Sequence, residues 1–417
     1  MTETLFAGGH VPSVRDGTLR MARADVLVED GRVAWVGAPG ARTSRTTVDV
    51  SGRSLVPGLI DLHTHPGVME GFRNDADRVT PDRIRRDLRI FAAYGVTTVQ
   101  SLGLDRDFAF DVARDRRPDE ARLLTVGHGF GVEGVPFFTM DPPGPLRTQD
   151  TAEIARVLAD AKARGASGVK IWYDDWYGQH AKMAEHVARA IIAESARLGL
   201  RSFAHLYRVD DAKALVRAGL RTVAHMPRDR EADGELWELM KERDVPVVPT
   251  LTVPYSNVVY LERAPELDDP LFLRHLPPGA REHVTSPEYA AAVRARKEFP
   301  AYAADLANAK ANVRAAHRAG VRIAFGTDAG VSQRTVGWSA HHEMELLQEC
   351  GMSAGAVLRS ATVEAAAVLG RDDLGDVAVG KRADLVVVRG DATGDVRALR
   401  PIEAVYIDGE RACGALA

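Results

Sequence analysis

The sequence predicts an α/β protein: a (β/α)8 TIM barrel carrying a small β-sandwich domain built from its two ends. Three observations carry this. Eight short apolar or β-rich runs recur through the middle of the chain, most of them separated by amphipathic stretches, and such alternation means a parallel sheet. The head and the tail read instead as short strands broken by Gly and Asp. At 417 residues the chain has room for a barrel of about 250 residues or more and a second, smaller unit.

The head, residues 1–56, contains ADVLVEDGRVAWVGAPG, two β-rich runs joined at Asp30-Gly31-Arg32. Asp-Gly between such runs is a strong hairpin signal. The tail repeats the pattern in ADLVVVRG and IEAVYIDGERA. Neither piece is long enough to bury a core alone. Residues 1–56 and 371–417 are therefore expected to join as one composite β domain, with residues 57–370 inserted between them.

The eight runs of the middle are LIDLH (59–63), VTTVQS (96–101), RLLTVG (122–127), GVKIWY (168–173), LRSFAH (200–205), LRTVAH (220–225), VPVVPT (245–250) and RIAFGT (322–327). AEIARVLADAKARGA shows the intervening pattern, with apolar residues at helical spacing and a glycine as stop signal. Residues 251–300, rich in proline and charge, break the rhythm. An insertion of this length between strands is expected as a lid or as a disordered loop.

Composition narrows the function. Hydrophobic residues are 45% and charged residues 27%, ordinary for a globular protein. Lys+Arg number 54 against 58 Asp+Glu, a net charge of −4, which argues against nucleic-acid and polybasic membrane partners. Two cysteines, Cys350 and Cys413, exclude a disulfide scaffold and read as reduced thiols. The start of the sequence lacks signal-peptide features and no run reaches the ~18 apolar residues of a membrane span. The expectation is a cytoplasmic protein with a small-molecule substrate, and self-association stays open.

Metal-ligand residue types collect at the carboxyl ends of the runs, the barrel face that carries active sites. His63 and His65 end LIDLHTH. Residues two apart on a strand point to one face, so both imidazoles can reach one ion. Lys170 lies inside the apolar GVKIWY, where an unpaired ammonium is costly and tends to lose its proton. Alone it reads as a strand-end salt bridge; the other reading is a carbamate formed with carbon dioxide, whose two oxygens can bridge two cations. His205 and His225 close successive strands in FAH and VAH. Singly, either suits a hydrogen-bonded core residue; in register they suit a metal. Asp328 follows AFGT at the eighth run. Alone it reads as a helix N-cap, but in a closed barrel the eighth strand adjoins the first and its carboxylate can reach the ion of His63 and His65.

Taken in order, these residues resemble the amidohydrolase superfamily, most closely its branch of imidazolonepropionase-like and prolidase-like enzymes. The matching segments are VPGLIDLHTHPG, Lys170 in GVKIW, His205 in FAHLY, His225 in TVAHMP and Asp328 in FGTDAG. HHEMELLQECGMSAGAVLRSAT and GDVAVGKRADLVVV follow, so the resemblance spans nearly the whole chain. It implies a binuclear site, usually zinc, with Mn, Co, Fe or Ni suiting the same nitrogen and oxygen donors. His63, His65 and Asp328 would hold one ion and His205 and His225 the other. Lys170, N6-carboxylated, would bridge both. The implied reaction is hydrolysis of an amide or other C–N bond in a peptide-like, N-acyl or cyclic amide substrate by metal-activated water. Asp328 would be its catalytic base.

Substrate contacts are expected from His128, in VGHGFGVEG, from Tyr173, and from Trp172 and Trp176 in WYDDWY, an aromatic wall beside the metals. Tyr255 and Tyr260 on the insertion are expected to close over the pocket. Asp174 and Asp175 read as a helix cap or as a contact for a cationic substrate. His341, His342 and Glu343 read as supports to the ligands or as a helix start. Prolidase-like relatives often carry small or glycine-rich sequence after the lysine strand, so WYDDWYG weakens any transfer of dipeptide specificity. Competing readings are deamination or lactone opening on the same site, and a metal-free structural homologue. Deaminases of the superfamily generally use one metal without a bridging lysine, so Lys170 counts against deamination. Six filled ligand positions count against the metal-free reading.

Overall fold

The structure, a computed structural model, describes residues 3–15, 18–75, 78–132, 146–261, 264–391 and 394–415. The head forms β1 (Glu3–Arg15), β2 (Thr18–Glu29), β3 (Arg32–Gly37), β4 (Thr47–Asp49) and β5 (Arg53–Pro57). β2 and β3 are antiparallel and pair Glu29 with Arg32, so Asp30-Gly31 is a two-residue turn. Both turn residues have positive φ, 46° and 78°, which matches the twist of the strands they join.

The middle alternates strands and helices. β6 (Leu59–Thr64) is followed by a short pair, β7 (Met69–Glu70) and β8 (Arg73–Asn74), then α1 (Pro81–Ala93), β9 (Val96–Ser101), α2 (Phe108–Arg114) and β10 (Arg122–Thr125). Next come α3 (Thr151–Ala163), β11 (Gly168–Trp172), α4 (Glu185–Arg197), β12 (Arg201–His205), α5 (Val209–Arg217), β13 (Thr222–Ala224), α6 (Gly234–Glu242) and β14 (Val247–Val248). Local signals set these limits. Thr80 caps α1, with Pro81 in its first turn, and the helix buries Ile84, Leu88, Phe91 and Ala92. Asp150 caps α3 and Gly165, at φ 97°, follows its end.

Two parallel sheets result, in the orders β10-β9-β6 and β11-β12-β13-β14. β6 and β9 are buried along their whole length, as parallel strands covered on both faces are. Phe130 bridges Ile171, and Ser167 N donates to Thr125 O at 2.9 Å, so the two sheets meet. Ile60, Leu62, Leu102, Val126, Phe203, Ala224, Val248 and Ala324, from or just beyond successive strands, pack as one cluster.

The eighth run makes no regular strand. It changes neighbour halfway: Ile323 bridges Val247, while Ala329 bridges Thr64 and Asp328 N donates to His63 O at 2.7 Å. Its neighbour β14 is only two residues long because Pro246 and Pro249 flank it and have no N–H to give a ladder.

Within residues 251–300 the chain forms short helices over Thr252–Ser256, Pro270–Leu273, Ala280–Val284 and Pro287–Arg294. Tyr260, Leu267, Phe272, Val284, Tyr289 and Val293 pack there with Phe72, Tyr94 and Trp338 in a cluster of their own.

The tail supplies β15 (Leu385–Arg389), β16 (Ile402–Ile407) and β17 (Glu410–Gly414). β15 runs antiparallel to β5, and head and tail share a hydrogen-bonded sheet ordered β17-β16-β15-β5-β1-β2-β3, with β4 on β1. A sandwich of two sheets was expected; the hydrogen bonding here runs through all these strands. Phe6, Val26, Val28, Leu55, Leu385, Val387 and Tyr406 form its core. Arg122 of β10 fastens this unit to the parallel strands, reaching Asp384 at 2.6 Å and Asp408 at 2.9 Å. Among the described residues no helix is long and apolar enough to cross a membrane, and Cys350 and Cys413 are unbridged.

Candidate metal centre

The carboxyl ends of the parallel strands bring the proposed ligands together. One donor atom from each of His63, His225 and Asp328 lies within 4.8 Å of the others. Asp328 Oδ1 is 3.2 Å from His63 Nε2 and 2.9 Å from His65 Nε2. Lys170 Nζ is 3.1 Å from His63 Nε2. His205 packs edge-on to His225, ring centroids 4.4 Å apart, but its Nε2 is 3.0 Å from Asp174 Oδ2. Asp328 is therefore no helix N-cap, and Lys170 no ordinary strand-end salt bridge.

Neighbouring groups orient these side chains. His65 Nδ1 is 3.1 Å from Gly103 O and His225 Nδ1 is 2.6 Å from Thr250 Oγ1, so each ring turns its other nitrogen away from its backbone-side partner. Trp176 stacks on His205 at 5.7 Å and 17°. The Trp172 ring lies 5.4 Å from Lys170 Nζ, in a slot only glycine permits. A Cβ at Gly103 or Gly129 would come within 2.5 or 2.6 Å of that ring. His225, Thr250 and Asp328 all have positive φ, 74°, 48° and 59°. Non-glycine residues held this way cost of order 1–3 kcal/mol each and cluster at functional sites.

The charge states suit metal binding. Burial holds His63 and His225 well below the usual imidazole range, so their lone pairs are available. Burial opposes charge on Asp328, but Arg334 and the imidazoles outweigh it and keep the carboxyl well below its ordinary value. Arg334 Nη2 donates to Asp328 Oδ2 at 2.8 Å. Burial lowers Lys170 to about 7. Burial also lowers His205, with Asp174 pulling the other way. His63 Nδ1 is buried with no hydrogen-bond partner. Neutral His63 and His225 imidazoles, an ionised Asp328 carboxylate and the Lys170 amine form a donor set of the kind that can hold a divalent cation.

The other expected contacts divide. His128 Nε2 is 3.1 Å from Asp107 Oδ1, on the loop after β10. Tyr173 is not brought to the cluster. Strand alternation turns it away from Lys170, and it lies under Lys182, whose Nζ is 4.8 Å from its ring. Tyr255 is also engaged elsewhere: its hydroxyl donates to Glu266 at 2.9 Å and its ring meets His342 at 4.3 Å. Tyr260 belongs to the cluster of the 251–300 segment. Asp175 pairs with Arg208 at 3.0 Å and Asp174 with His205, so neither caps a helix or awaits a cation. His341 Nε2 is 3.0 Å from Tyr94 O. Glu343 accepts from Leu251 N and Thr252 N, both at 2.8 Å, and so anchors the segment beyond β14.

Sequence reasoning missed several residues. Asp61 accepts from Thr327 Oγ1 at 2.6 Å and from His63 N at 3.1 Å, tying the first strand to the eighth run. Its signal was available, since it stands two residues before His63 on the same strand face. Arg228 and Arg334 lie on loops, where no period marks them, and Asp174 was read as a cap or substrate contact rather than as the partner of His205.

An α/β chain with imidazoles, a carboxylate and an amine gathered at the ends of parallel strands has the make-up of a metal-dependent hydrolase. The amidohydrolase family model matches residues 54–412. The chain belongs to that family. An imidazolonepropionase of Mycolicibacterium smegmatis is 45% identical over 56 residues, 13% of this chain and 14% of that one. The chain spans only 14% to 32% of the length of such curated relatives. The crystal structure of an amidohydrolase superposes with a TM-score of 0.77 at 25% identity, covering 100% of both chains. That of a Xaa-Pro dipeptidase with bound methionine gives 0.77 at 21% identity, covering 98% of this chain and 99% of the other, and shares the fold.

Proposed function

We propose that the protein is a binuclear metal-dependent amidohydrolase cleaving an amide or other C–N bond of a small peptide-like, N-acyl or cyclic amide substrate. One observation carries this reading: donor atoms of His63, His225 and Asp328 lie within 4.8 Å of one another, with the Lys170 amine 3.1 Å from His63. The proposed scaffold is a (β/α)8 barrel over residues 57–370, a composite β domain from residues 1–56 and 371–417, and a lid over residues 251–300. The bridges Phe130–Ile171, Val247–Ile323 and Thr64–Ala329 support closure of the barrel.

His63, His65 and Asp328 would hold one ion, His205 and His225 the other, and Lys170, N6-carboxylated, would bridge them. Zinc leads, with Mn, Co, Fe or Ni suiting the same donors. Bound ions would acidify a shared water and polarise the scissile carbonyl. Asp328, whose Oδ2 accepts from Arg334, would take a proton from that water and would deliver it to the leaving nitrogen. Trp172, Trp176 and His128 would line the substrate side. In this scheme Asp174 keeps the His205 ring oriented, as acidic partners of ligating imidazoles do.

Elemental analysis of freshly purified protein, with amine release from dipeptides, N-acyl amino acids and cyclic amides, tests the reading. About two ions per chain and amine release are expected. Metal well below one ion per chain, with no amine released, would overturn it.

A further inference from the structure

Trp176, Tyr177 and Gly178 follow one another in the loop after β11 with φ of 46°, 62° and 76°. Glycine takes up this backbone freely. Two bulky aromatic residues do not, and they hold it only where their surroundings over-determine it. The loop supplies part of that itself: Asp174 Oδ1 accepts from Trp176 N at 3.1 Å, and Asp175 Oδ1 accepts from Gly178 N at 2.8 Å. The rest comes from outside the loop.

The Tyr177 hydroxyl donates to Asp305 Oδ2 at 2.6 Å, and the Tyr207 hydroxyl, from the loop after β12, donates to Asp305 Oδ1 at 2.9 Å. Asp305 stands in the first turn of the helix Tyr302–Ala319 and is 2% exposed. A carboxyl group is costly to bury, and this one commits its two oxygens to hydroxyls from two different loops. Hydroxyl–carboxylate bonds are short and directional, so they fix position where apolar packing only fills space. Two more contacts join the first loop to this helix and the residues leading into it. The rings of Tyr177 and Tyr302 meet at 6.3 Å. Gln179 Nε2 donates to Glu298 at 3.1 Å, and Glu298 also accepts the Tyr302 hydroxyl at 3.1 Å.

The loop reaches the candidate centre through His205. The Trp176 ring lies 5.7 Å from the His205 ring and within 17° of parallel, and Asp174 Oδ2 is 3.0 Å from His205 Nε2. His65 and His225 face Gly103 O and Thr250 Oγ1, which lie outside this loop. His205 takes both its carboxylate and its stacking partner from residues 174–176.

We propose that Asp305 is a positioning residue: through Tyr177 it locks the loop after β11, and that loop, through Trp176 and Asp174, fixes the plane of the His205 ring for metal binding. This rests on the reading of His205 as a ligand.

The test is NMR of the full-length protein with labelled histidine rings, as purified and after chelation, on wild type, Tyr177→Phe, Asp305→Ala and Asp305→Asn. His205→Gln assigns the His205 signal, and Trp176→Leu shows where it falls without the facing indole. Y177F and D305A should move the signal towards its W176L position, and D305N less far, because its amide oxygen still accepts a hydroxyl. In zinc titrations Y177F and D305A should bind one of two ions at least about tenfold more weakly and the other as wild type does. Y177F keeps the ring that packs on Tyr207 and Tyr302, and melting temperatures check that each variant is folded. A His205 signal at its wild-type position in folded Y177F and D305A overturns the inference, as do two ions bound normally by both variants where H205Q loses one. A signal that moves in both variants, with H205Q binding zinc as wild type does, upholds the lock on the ring and removes His205 from the ligands, which counts against the binuclear reading.

Discussion

Lys170 Nζ lies 3.1 Å from His63 Nε2, and both residues are buried. Burial brings the lysine to about 7, so near neutral pH much of the amine is uncharged and able to carry a carboxyl group. Lys170→Met should lower metal content and reduce amide hydrolysis at least about 100-fold. The metal-free variant should nevertheless melt no lower than metal-free wild type, because an apolar chain of similar length replaces a buried ionisable one. Full metal content and turnover in K170M would remove Lys170 from the centre.

Asp328 and Arg334 form a buried pair at 2.8 Å. Asp328→Asn should keep most of the metal, yet turnover should fall at least about 100-fold with loss of the base. Arg334 is then left without its counter-charge, at a cost of roughly 3–5 kcal/mol. The double variant D328N/R334M should regain thermal stability but not turnover. Denaturant melts and kcat for the two variants check this, and an active D328N ends the general-base role.

Metal removal gives a third prediction. The proposed ligands come from separate segments, His63 and His65 from the end of β6, His225 from just beyond β13 and Asp328 from the chain after the eighth run. A chelator should therefore abolish hydrolysis and lower Tm, since ligand held at about 100 times its Kd stabilises the folded state by about 2.7 kcal/mol. Adding back Zn, Mn or Co should restore both. Unchanged Tm and activity after verified metal loss would count against a resident cation.

Much of this was legible in the sequence. His63 with His65 show themselves by strand-end placement and by period two, His205 with His225 by strand-end placement on successive strands, and Asp30-Gly31 announces its hairpin. The eighth run was harder because its form depends on two neighbours, one of them cut short by Pro246 and Pro249. Tyr173 was assigned to the pocket by closeness to Lys170, although three residues along a strand means the opposite face. Arg228 and Arg334 sit on loops whose course is set by Asn308, Asn312 and Ser256, distant in sequence, so no local pattern could reveal them. The pairing of Asp174 with His205 is likewise a product of tertiary structure.

Glu343 supplies the last prediction. It sits within the helix Trp338–Glu349, 0% exposed, accepting from Leu251 N and Thr252 N. Burial outweighs these bonds and raises its carboxyl from 4.5 to about 8. In the unfolded chain the same group titrates near 4.3. Below about pH 4 both states hold the proton and the group contributes nothing to pH dependence. As pH rises from about 4.5 to 8 the unfolded chain releases the proton while the folded chain keeps it, so folded stability falls across that window, by several kcal/mol at most. Above about pH 8 the penalty is constant. Glu343→Gln removes the titration, although its amide can accept only through one oxygen and the variant can be less stable throughout. What should change is the slope. Between about pH 5 and 8 the unfolding free energy of wild type should fall relative to that of E343Q, measured by urea melts at several pH values in one buffer series. A wild-type-minus-E343Q difference that does not vary with pH would mean that the carboxyl carries the same charge folded and unfolded. The N–H pair at Leu251 and Thr252 would then face a carboxylate, and the start of the 251–300 segment would be held by an anion rather than by a neutral acid.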